Sequence, residues 1–220
     1  MACKEKDFIE ISYTGRLKDS GEVFDTTEED IAKKEDLYSK DSEYGPQVVC
    51  LGQHHILPGL DHELVGKEKG SYKIELTAEK AFGKKQANLI QMVPANKFRE
   101  AKIQAMPGLQ VTIDNQRGII KMIGGGRVLV GLNHPLPGKD VVYEVTIIDQ
   151  VADKKRQVLS LLKHTFNLKP NDIEIAGKSA IILFEKEFPA ELAVHVIKPI
   201  KELCDLDSVE FRKKEQSTKA

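Results

Sequence analysis

The chain has 220 residues, with 33 Lys or Arg against 34 Asp or Glu, so its net charge is -1. So small a net charge gives no uniform field to attract nucleic acid or an anionic membrane, and neither is expected as a partner. The length exceeds that of a usual single domain, and the 40% hydrophobic fraction is enough for more than one core. We therefore expect two or three small domains.

Cysteine usage and the N-terminal sequence indicate the compartment. The three cysteines, Cys3, Cys50 and Cys204, form no CxxC pair, which argues against a disulfide framework and against a zinc site. The first residues, MACKEKDF, are charged where a signal peptide is apolar, and no stretch reaches the about 20 apolar residues of a membrane span. These features predict a soluble protein of the reducing cytoplasm.

Alternating apolar and polar residues predict three strands of an antiparallel sheet. They run from Phe8 to Leu17, from Ser71 to Thr77 and from Val141 to Val151. Between the first two strands lies a charged segment, Glu28 to Glu43, which is expected to be a surface loop or a short helix. A helix is expected from Pro58, which suits a first turn, to a stop at Gly66.

The segment between the second and third strands, residues 87–132, carries periodic strands of its own. They are LIQMV, LQVTID, GIIKMI and RVLVGL, with turn signals at NQRG and GGG. A connection of this length is uncommon in a compact domain unless it folds separately. We predict a small all-β insert.

The pattern after Val151 changes to that of a third, α+β domain. A first helix is predicted from apolar residues three or four apart, Val158, Leu161, Leu162 and Phe166. Two strands, DIEIA and SAIILFE, follow it, and SVEFR is a candidate last strand. Pro189 is expected to begin a further helix that carries Leu192 and Val196 and that Pro199 should break or kink.

Four ordered motifs carry a resemblance to a known family. They are YTGRLKDSGEVFDTT from Tyr13, GQHHILPGLDHELVG from Gly52, AFG from Ala81 and NHPLPGKDVVYEV from Asn133. The chain resembles the FKBP family of peptidyl-prolyl isomerases over roughly residues 5–150. NLIQMVP, from Asn88, opens an insert where the SlyD-like, long archaeal branch carries its insert-in-flap chaperone domain.

The resemblance implies an α+β fold in which an antiparallel half-barrel sheet wraps on a short helix. It assigns residues 1–86 and 133–151 to a catalytic domain, residues 87–132 to the chaperone insert and residues 152–220 to a C-terminal module for homodimerisation. The implied activity is cis-trans isomerisation of X-Pro bonds in unfolded or nascent polypeptide clients. Macrolide inhibitors are implied ligands.

The chemistry of that reaction needs no cofactor and no metal. An X-Pro bond crosses a barrier of about 18 to 20 kcal/mol because rotation destroys amide resonance. The twisted amide is less charge-separated than the planar one, so a water-excluding apolar cleft binds the transition state better than the ground state. The expected site is therefore aromatic and aliphatic.

The matching motifs imply a pocket of eight residues. Ile56, Leu57 and Leu60 would form its floor and wall, and Asp25 would supply a polar contact near the twisting carbonyl. The aromatic lining would be Tyr13, Phe24, Phe82 and Tyr143. Leu60 stands where many members have tryptophan, and Phe82 where many have tyrosine. These two departures favour the alternative of a holdase or assembly factor with weak isomerase activity.

A second set of residues is assigned to client binding. The insert's apolar residues resemble the client-holding surface of the SlyD-like branch: Leu89, Ile90, Met92, Val93 and Phe98. The same residues could form the insert's own core, and both interpretations stay open. His134 and Leu136, in the loop before the last strand, are expected to border the cleft.

Simpler interpretations stand beside the pocket assignments. Taken singly, apolar strand residues are usually core, and Asp25 before two threonines would be a turn or cap residue. Only the joint motif context favours the pocket. His54, His55 and His62 lie close together, but no cysteine or patterned carboxylate completes a metal site, so solvated histidines are expected.

Overall fold

The structure is a computed structural model that describes residues 2–84, 89–113, 116–132 and 136–214, with the side chains of residues 116 and 117 left out. It divides into two compact units, Met1–Glu75 with Val142–Ala220, and Leu76–Val141. The elements confirm the α+β class. No helix in the described ranges combines the length and apolarity needed to cross a bilayer.

The chain begins with β1 (Phe8–Leu17), β2 (Val23–Thr26), α1 (Glu29–Lys34), β3 (Gln47–Cys50), α2 (Pro58–Leu64) and β4 (Gly70–Leu76). It continues with β5 (Ile90–Pro94), α3 (Ala95–Glu100), β6 (Gln110–Ile113), β7 (Gln116–Gly124) and β8 (Arg127–Gly131). It ends with β9 (Val141–Gln150), α4 (Lys154–His164), β10 (Asp172–Ala176), β11 (Ser179–Phe184), α5 (Ala190–Cys204) and β12 (Ser208–Lys213).

The first unit contains a five-stranded sheet in the order β2-β1-β9-β4, and β3 also pairs with β1. The first half of β1 pairs antiparallel with β3, and its second half pairs antiparallel with β2. One face of β9 is buried at alternate positions, as its sequence predicts: Val141, Tyr143, Val145 and Ile147. Burial of this face holds β9 in the middle of the sheet.

The C-terminal segment adds a second sheet to the first unit, in the order β10-β11-β12. β10 and β11 are antiparallel, whereas β11 and β12 are parallel and are joined through α5. Its core includes Leu161 and Ile200 and also Phe8 and Cys50 from the N-terminal part of the chain. The Ser160 hydroxyl donates a 2.7 Å hydrogen bond to the backbone oxygen of Val48. These contacts explain why residues 152–220 cluster with the N-terminal part.

Helix α5 continues through Pro199, so the break that was expected there as one of two outcomes does not occur. Proline removes one backbone hydrogen bond from a helix. Residues Val196, Ile200 and Cys204, spaced by four, are buried along one side, and this packing outweighs the loss. At the end of α4, Phe166 lies beyond the last helical residue, His164, although it was expected on the helix.

The second unit contains a four-stranded antiparallel sheet in the order β5-β8-β7-β6. Its buried core is Phe98, Val111, Ile120, Val128, Val130 and Leu132. The expectation of an all-β insert is wrong, because α3 is a helix. Its residues, ANKFRE, include good helix formers, and burial of Phe98 attaches it to the sheet. The predicted three-domain boundaries stay a prediction.

Candidate functional site

Three aromatic rings from three different strands meet in the first unit. Tyr13 lies on β1, Phe24 on β2 and Tyr143 on β9. The ring centroids of Tyr13 and Tyr143 are 5.8 Å apart, and those of Phe24 and Tyr143 are 5.7 Å apart, both with edge-to-face geometry. Tyr143 is buried, whereas the other two rings are half-buried, so Tyr143 supports the two rings from behind.

Gly15 leaves the space that this ring cluster needs. A Cβ atom at this position would lie 2.8 Å from Cζ of Phe24 and 2.9 Å from Cε1 of Tyr143. Both distances are well below van der Waals contact, so any larger residue would displace the rings. Gly15 was not among the predicted site residues, although it stands in the YTG motif.

Asp25 follows Phe24 and accepts a hydrogen bond from the Tyr13 hydroxyl. Desolvation by the surrounding chain raises the pKa of the Asp25 carboxyl, and the hydrogen bond from Tyr13 opposes this effect. Burial and the Asp25 charge together raise the pKa of Tyr13 well above its usual range. The pair is therefore a carboxyl group with a neutral phenol held against it.

Thr27 fixes the backbone of Tyr13. The Tyr13 amide donates to Oγ1 of Thr27 at 2.9 Å, and the Thr27 amide donates back to the Tyr13 carbonyl oxygen at 2.9 Å. Thr27 is itself buried, so neither bond competes with bulk water. These two bonds set the position of the Tyr13 side chain relative to Asp25.

An open cavity of about 640 Å³ lies in front of these residues. Tyr13, Phe24 and Asp25 line one part of it. Its other lining includes Leu37 and Tyr44 from the loop after α1, His55 from the turn before α2, and His164 and Lys169 at and after the end of α4. The volume falls in the range of about 300 to 1,000 Å³ that small-molecule sites occupy.

Asp61 in α2 shapes the turn that precedes that helix. Its buried carboxylate accepts backbone hydrogen bonds from Gly52, at 3.0 and 3.1 Å, and from His54, at 3.1 Å. The turn continues into Ile56 and Leu57, which are both half-buried. A buried carboxylate thus holds a loop that carries two predicted pocket residues.

His55 connects this turn to α4. Its Nδ1 accepts a hydrogen bond from the Cys50 amide at 3.1 Å, and its Nε2 lies 2.9 Å from Oγ1 of Thr165. The His55 ring stacks on His164 with centroids 5.1 Å apart. Burial, and secondly the His164 charge, lower the pKa of His55 from 6.5 to about 4. His55 is therefore neutral at pH 7, and the expectation of a solvated side chain is wrong for it.

Comparisons with known proteins agree on one family. Residues 91–136 match a family model described as FKBP26, IF domain. A short-type peptidyl-prolyl cis-trans isomerase of Methanocaldococcus jannaschii is 26% identical over 147 residues, which are 66% of this chain and 92% of that protein. The FKBP-type isomerase SlyD of Vibrio cholerae is 28% identical over 102 residues, 44% of this chain and 50% of that protein.

A third relative is an FKBP-type 16 kDa peptidyl-prolyl cis-trans isomerase of Escherichia coli, 27% identical over 109 residues, 47% of this chain and 73% of that protein. By these comparisons the chain is similar to FKBP-type peptidyl-prolyl isomerases, and the predicted resemblance is confirmed. The matched residues 91–136 fall within the second unit, Leu76–Val141.

The eight predicted pocket residues do not all lie at the cavity. Tyr13, Phe24, Asp25 and Tyr143 come together, and three of them line the cavity. Leu60 is buried in α2. Ile56 and Leu57 directly follow His55 on the chain but, among described residues, the cavity wall includes His55 and neither of them. Phe82 is half-buried in the second unit, Leu76–Val141.

The predicted client-binding residues differ from one another in exposure. Ile90 and Met92 are exposed, with 47% and 64% of their surface accessible. Phe98 is buried in the core of the second unit, which favours the core interpretation over the client surface for this residue. Leu89 and Val93 are half-buried against that core. Leu136 is half-buried, and His134 lies outside the described residues.

Several residues of the site had no counterpart in the sequence prediction. Gly15, Tyr44, His55 and His164 belong to the ring cluster or to the cavity wall. Gly15 and His55 stand within family motifs, whereas Tyr44 and His164 carried no signal in the sequence. In the ranges that the structure describes, no group of three or more His, Cys, Asp or Glu side chains could hold a metal ion.

Proposed function

We propose that the cavity in front of Tyr13, Phe24 and Asp25 isomerises X-Pro bonds of polypeptide clients. The observation that carries the proposal is the edge-to-face cluster of Tyr13, Phe24 and Tyr143 at the wall of an open cavity. Aromatic faces suit a proline ring, which is apolar and flat-sided. The family supports the same chemistry, since its relatives carry the name peptidyl-prolyl cis-trans isomerase.

Each of these residues has a role in the proposed mechanism. The half-buried rings of Tyr13 and Phe24 hold the proline and exclude water from the amide, which favours the twisted, less charge-separated state. Asp25 supplies the polar contact near the rotating carbonyl. Ile56, Leu57 and Leu60 keep their proposed places in the pocket from the family motifs alone, and the role of Phe82 stays a prediction. No proton transfer or covalent step is required.

The test is the rate of isomerisation of a short X-Pro peptide by the full chain. Phe24→Leu keeps an apolar side chain but loses the ring, and we expect kcat/KM to fall about tenfold. Phe166→Leu, a half-buried phenylalanine that packs on the C-terminal core, is the matched control and should leave turnover unchanged. If the unaltered protein does not exceed the uncatalysed rate, the isomerase proposal fails and the holdase alternative replaces it.

We further propose that the second unit holds unfolded clients. Met92 and Met122 expose 64% and 62% of their surface, and both pair with Leu129 across neighbouring strands. With Ile90 they form an apolar patch on one face of the sheet. Methionine side chains are flexible and polarizable, so such a patch adapts to varied apolar partners.

The holdase proposal is tested by suppression of client aggregation. The double variant Met92→Ser and Met122→Ser should lose most of this suppression while its melting temperature and peptide turnover stay unchanged. Met106→Ser is the control, because Met106 is 49% exposed in the same unit but lies outside the strands. Equal losses in the control and in the double variant would exclude the patch as the holding surface.

The C-terminal segment is proposed to form a homodimer. Leu192 and Val194 on α5 expose 55% and 69% of their surface, which is the exposed apolar area such an interface would use. Light scattering of the full chain should give a dimer mass, and Val194→Asp should give a monomer. A monomer mass for the unaltered chain would refute this proposal. Macrolide binding also stays a proposal.

A further inference from the structure

Two parts of the cavity wall differ in their place on the chain. One part consists of Tyr13, Phe24 and Asp25, all before residue 28. The other consists of the loop residues Ser42, Glu43 and Tyr44 together with the end of α4 and the residues that follow it. The first part has a role in the proposed function, because it binds the prolyl bond. The second part has no role in the proposed isomerisation.

Ion pairs join the two sides of this second part. The Glu43 carboxylate lies 2.7 Å from Nζ of Lys163 and 3.1 Å from Nζ of Lys169. Lys163 also donates to the side-chain oxygen of Gln47 at 2.7 Å. The two lysines lower the pKa of Glu43, so the carboxylate is charged at neutral pH. The loop is therefore held against α4 rather than free.

The charges on this wall largely cancel. Lys163 and Lys169 carry two positive charges, and Glu43 and Asp41 carry two negative charges. His164 adds none at neutral pH, because burial lowers its pKa below the ordinary value. A wall without net charge does not select a charged side chain. Its exposed hydrogen-bonding groups, Ser42 and Asn167, suit the main chain of an extended peptide.

We propose that the loop at residues 41–44 and the segment at residues 163–169 form a second subsite, which binds the residues that flank the prolyl bond. The proposal rests on the isomerase function, since it places the proline at Tyr13 and Phe24. The substrate class is an extended, uncharged polypeptide segment rather than a dipeptide unit. The C-terminal segment thereby takes part in substrate recognition.

The subsite makes turnover depend on substrate length. A short substrate, with one residue on each side of the X-Pro bond, occupies the ring cluster alone. A longer substrate also gains contacts along the second wall, and these lower KM more than they change kcat, because they are formed equally in the ground state and the transition state. The unaltered protein should therefore show a lower KM for the longer substrate.

The test uses the full chain and two substrates with the same X-Pro bond, one short and one of about eight residues. Ser42→Trp and Lys169→Trp each place a bulky ring in the subsite, from its two opposite sides. Lys155→Trp is the matched control, because Lys155 lies on the same helix as Lys163 and pairs with Asp172, and it is not part of the cavity wall.

For both subsite variants we expect KM of the long substrate to rise about fivefold while turnover of the short substrate changes less than about twofold. The control should match the unaltered protein on both substrates. Equal losses on the short and the long substrate, or no loss on either, would overturn the subsite and leave the isomerase function intact. If the unaltered protein turned over neither substrate, that result would instead refute the isomerase function.

Discussion

The Tyr13 hydroxyl donates a hydrogen bond to the Asp25 carboxylate, and this bond opposes the desolvation that raises the Asp25 pKa. The two residues occupy opposite strands of one hairpin, in which Gly15 pairs with Asp25 and Thr14 pairs with Thr26. The bond therefore depends on the hairpin register. Because the Tyr13 hydroxyl is hydrogen-bonded to Asp25, the Asp25 carboxyl group is held in one orientation at the cavity.

Removal of that hydroxyl should change both the Asp25 pKa and turnover. Tyr13→Phe keeps the ring but takes away the hydrogen bond, so we expect the Asp25 pKa to rise further and kcat/KM to fall about threefold to tenfold. NMR titration of the Asp25 carboxyl measures the first effect. Tyr72→Phe is the control, because the Tyr72 hydroxyl is hydrogen-bonded to the backbone of Glu68 and Tyr72 is not part of the cavity wall. An unchanged Asp25 pKa in Tyr13→Phe would contradict the described bond.

Gly15→Ala should damage the ring cluster. The added methyl group would meet Phe24 and Tyr143 at less than 3 Å, so we expect a loss of about 1 to 3 kcal/mol in the free energy of unfolding together with lower turnover. Denaturant titration measures the first quantity. Gly124→Ala is the control, since its added Cβ has nothing within 4 Å. A Gly15→Ala protein with unaltered stability and turnover would show that the rings have room to move.

Asp61→Ala should loosen the turn before α2. The substitution leaves the Gly52 and His54 amides without their acceptor, at a cost of about 1 to 3 kcal/mol in the free energy of unfolding. Because the turn leads to Ile56 and Leu57, turnover should fall as well. His62→Ala, at an exposed position on the same helix, should change neither quantity. Thermal melting of both variants shows whether the Asp61 carboxylate stabilises the fold. An unchanged melting temperature in Asp61→Ala would show that it does not.

His55 should make stability fall in mildly acidic solution. Its pKa in the folded chain is about 4, below the ordinary 6.5, so the unfolded chain takes up the proton first. Stability that depends on neutral His55 is complete above about pH 6.5 and is lost as the pH falls towards 4. The groups that face it include His164, and Lys163 and Glu43 lie beside that ring.

The measurement is the free energy of unfolding at several pH values between 4 and 7. His55→Gln cannot be protonated in this range, so its curve should be flatter than that of the unaltered protein. His62→Gln is the control, because it removes an exposed histidine from the helix that follows the turn of His55. Equal slopes in both variants would assign the pH dependence to other groups.

Local patterns were sufficient for much of the fold. The alternation in β9 predicted which face is buried, and the first turn of α2 followed from Pro58. Tyr13 and Asp25 were placed in one pocket by the resemblance of their motif to a family. Such features depend on neighbours within a few residues, which a single sequence displays.

Features that depend on distant packing could not be obtained in this way. His55 looks like a surface residue beside His54, but Thr165, its hydrogen-bond partner, lies 110 residues further along the chain. The continuity of α5 through Pro199 depends on a core built with Phe8 and Cys50. The burial of Phe98 followed from its packing against a sheet whose register the sequence did not specify.

The position of β9 has a consequence for the order of assembly during synthesis. This strand lies between β1 and β4 in the sheet, yet it is translated after the whole second unit. Tyr143, which supports the other two rings, therefore reaches the ribosome exit only after β5 to β8 have emerged as one contiguous stretch. We expect the second unit to fold first as the chain emerges, and the isomerase site to mature late, when β9 enters its place.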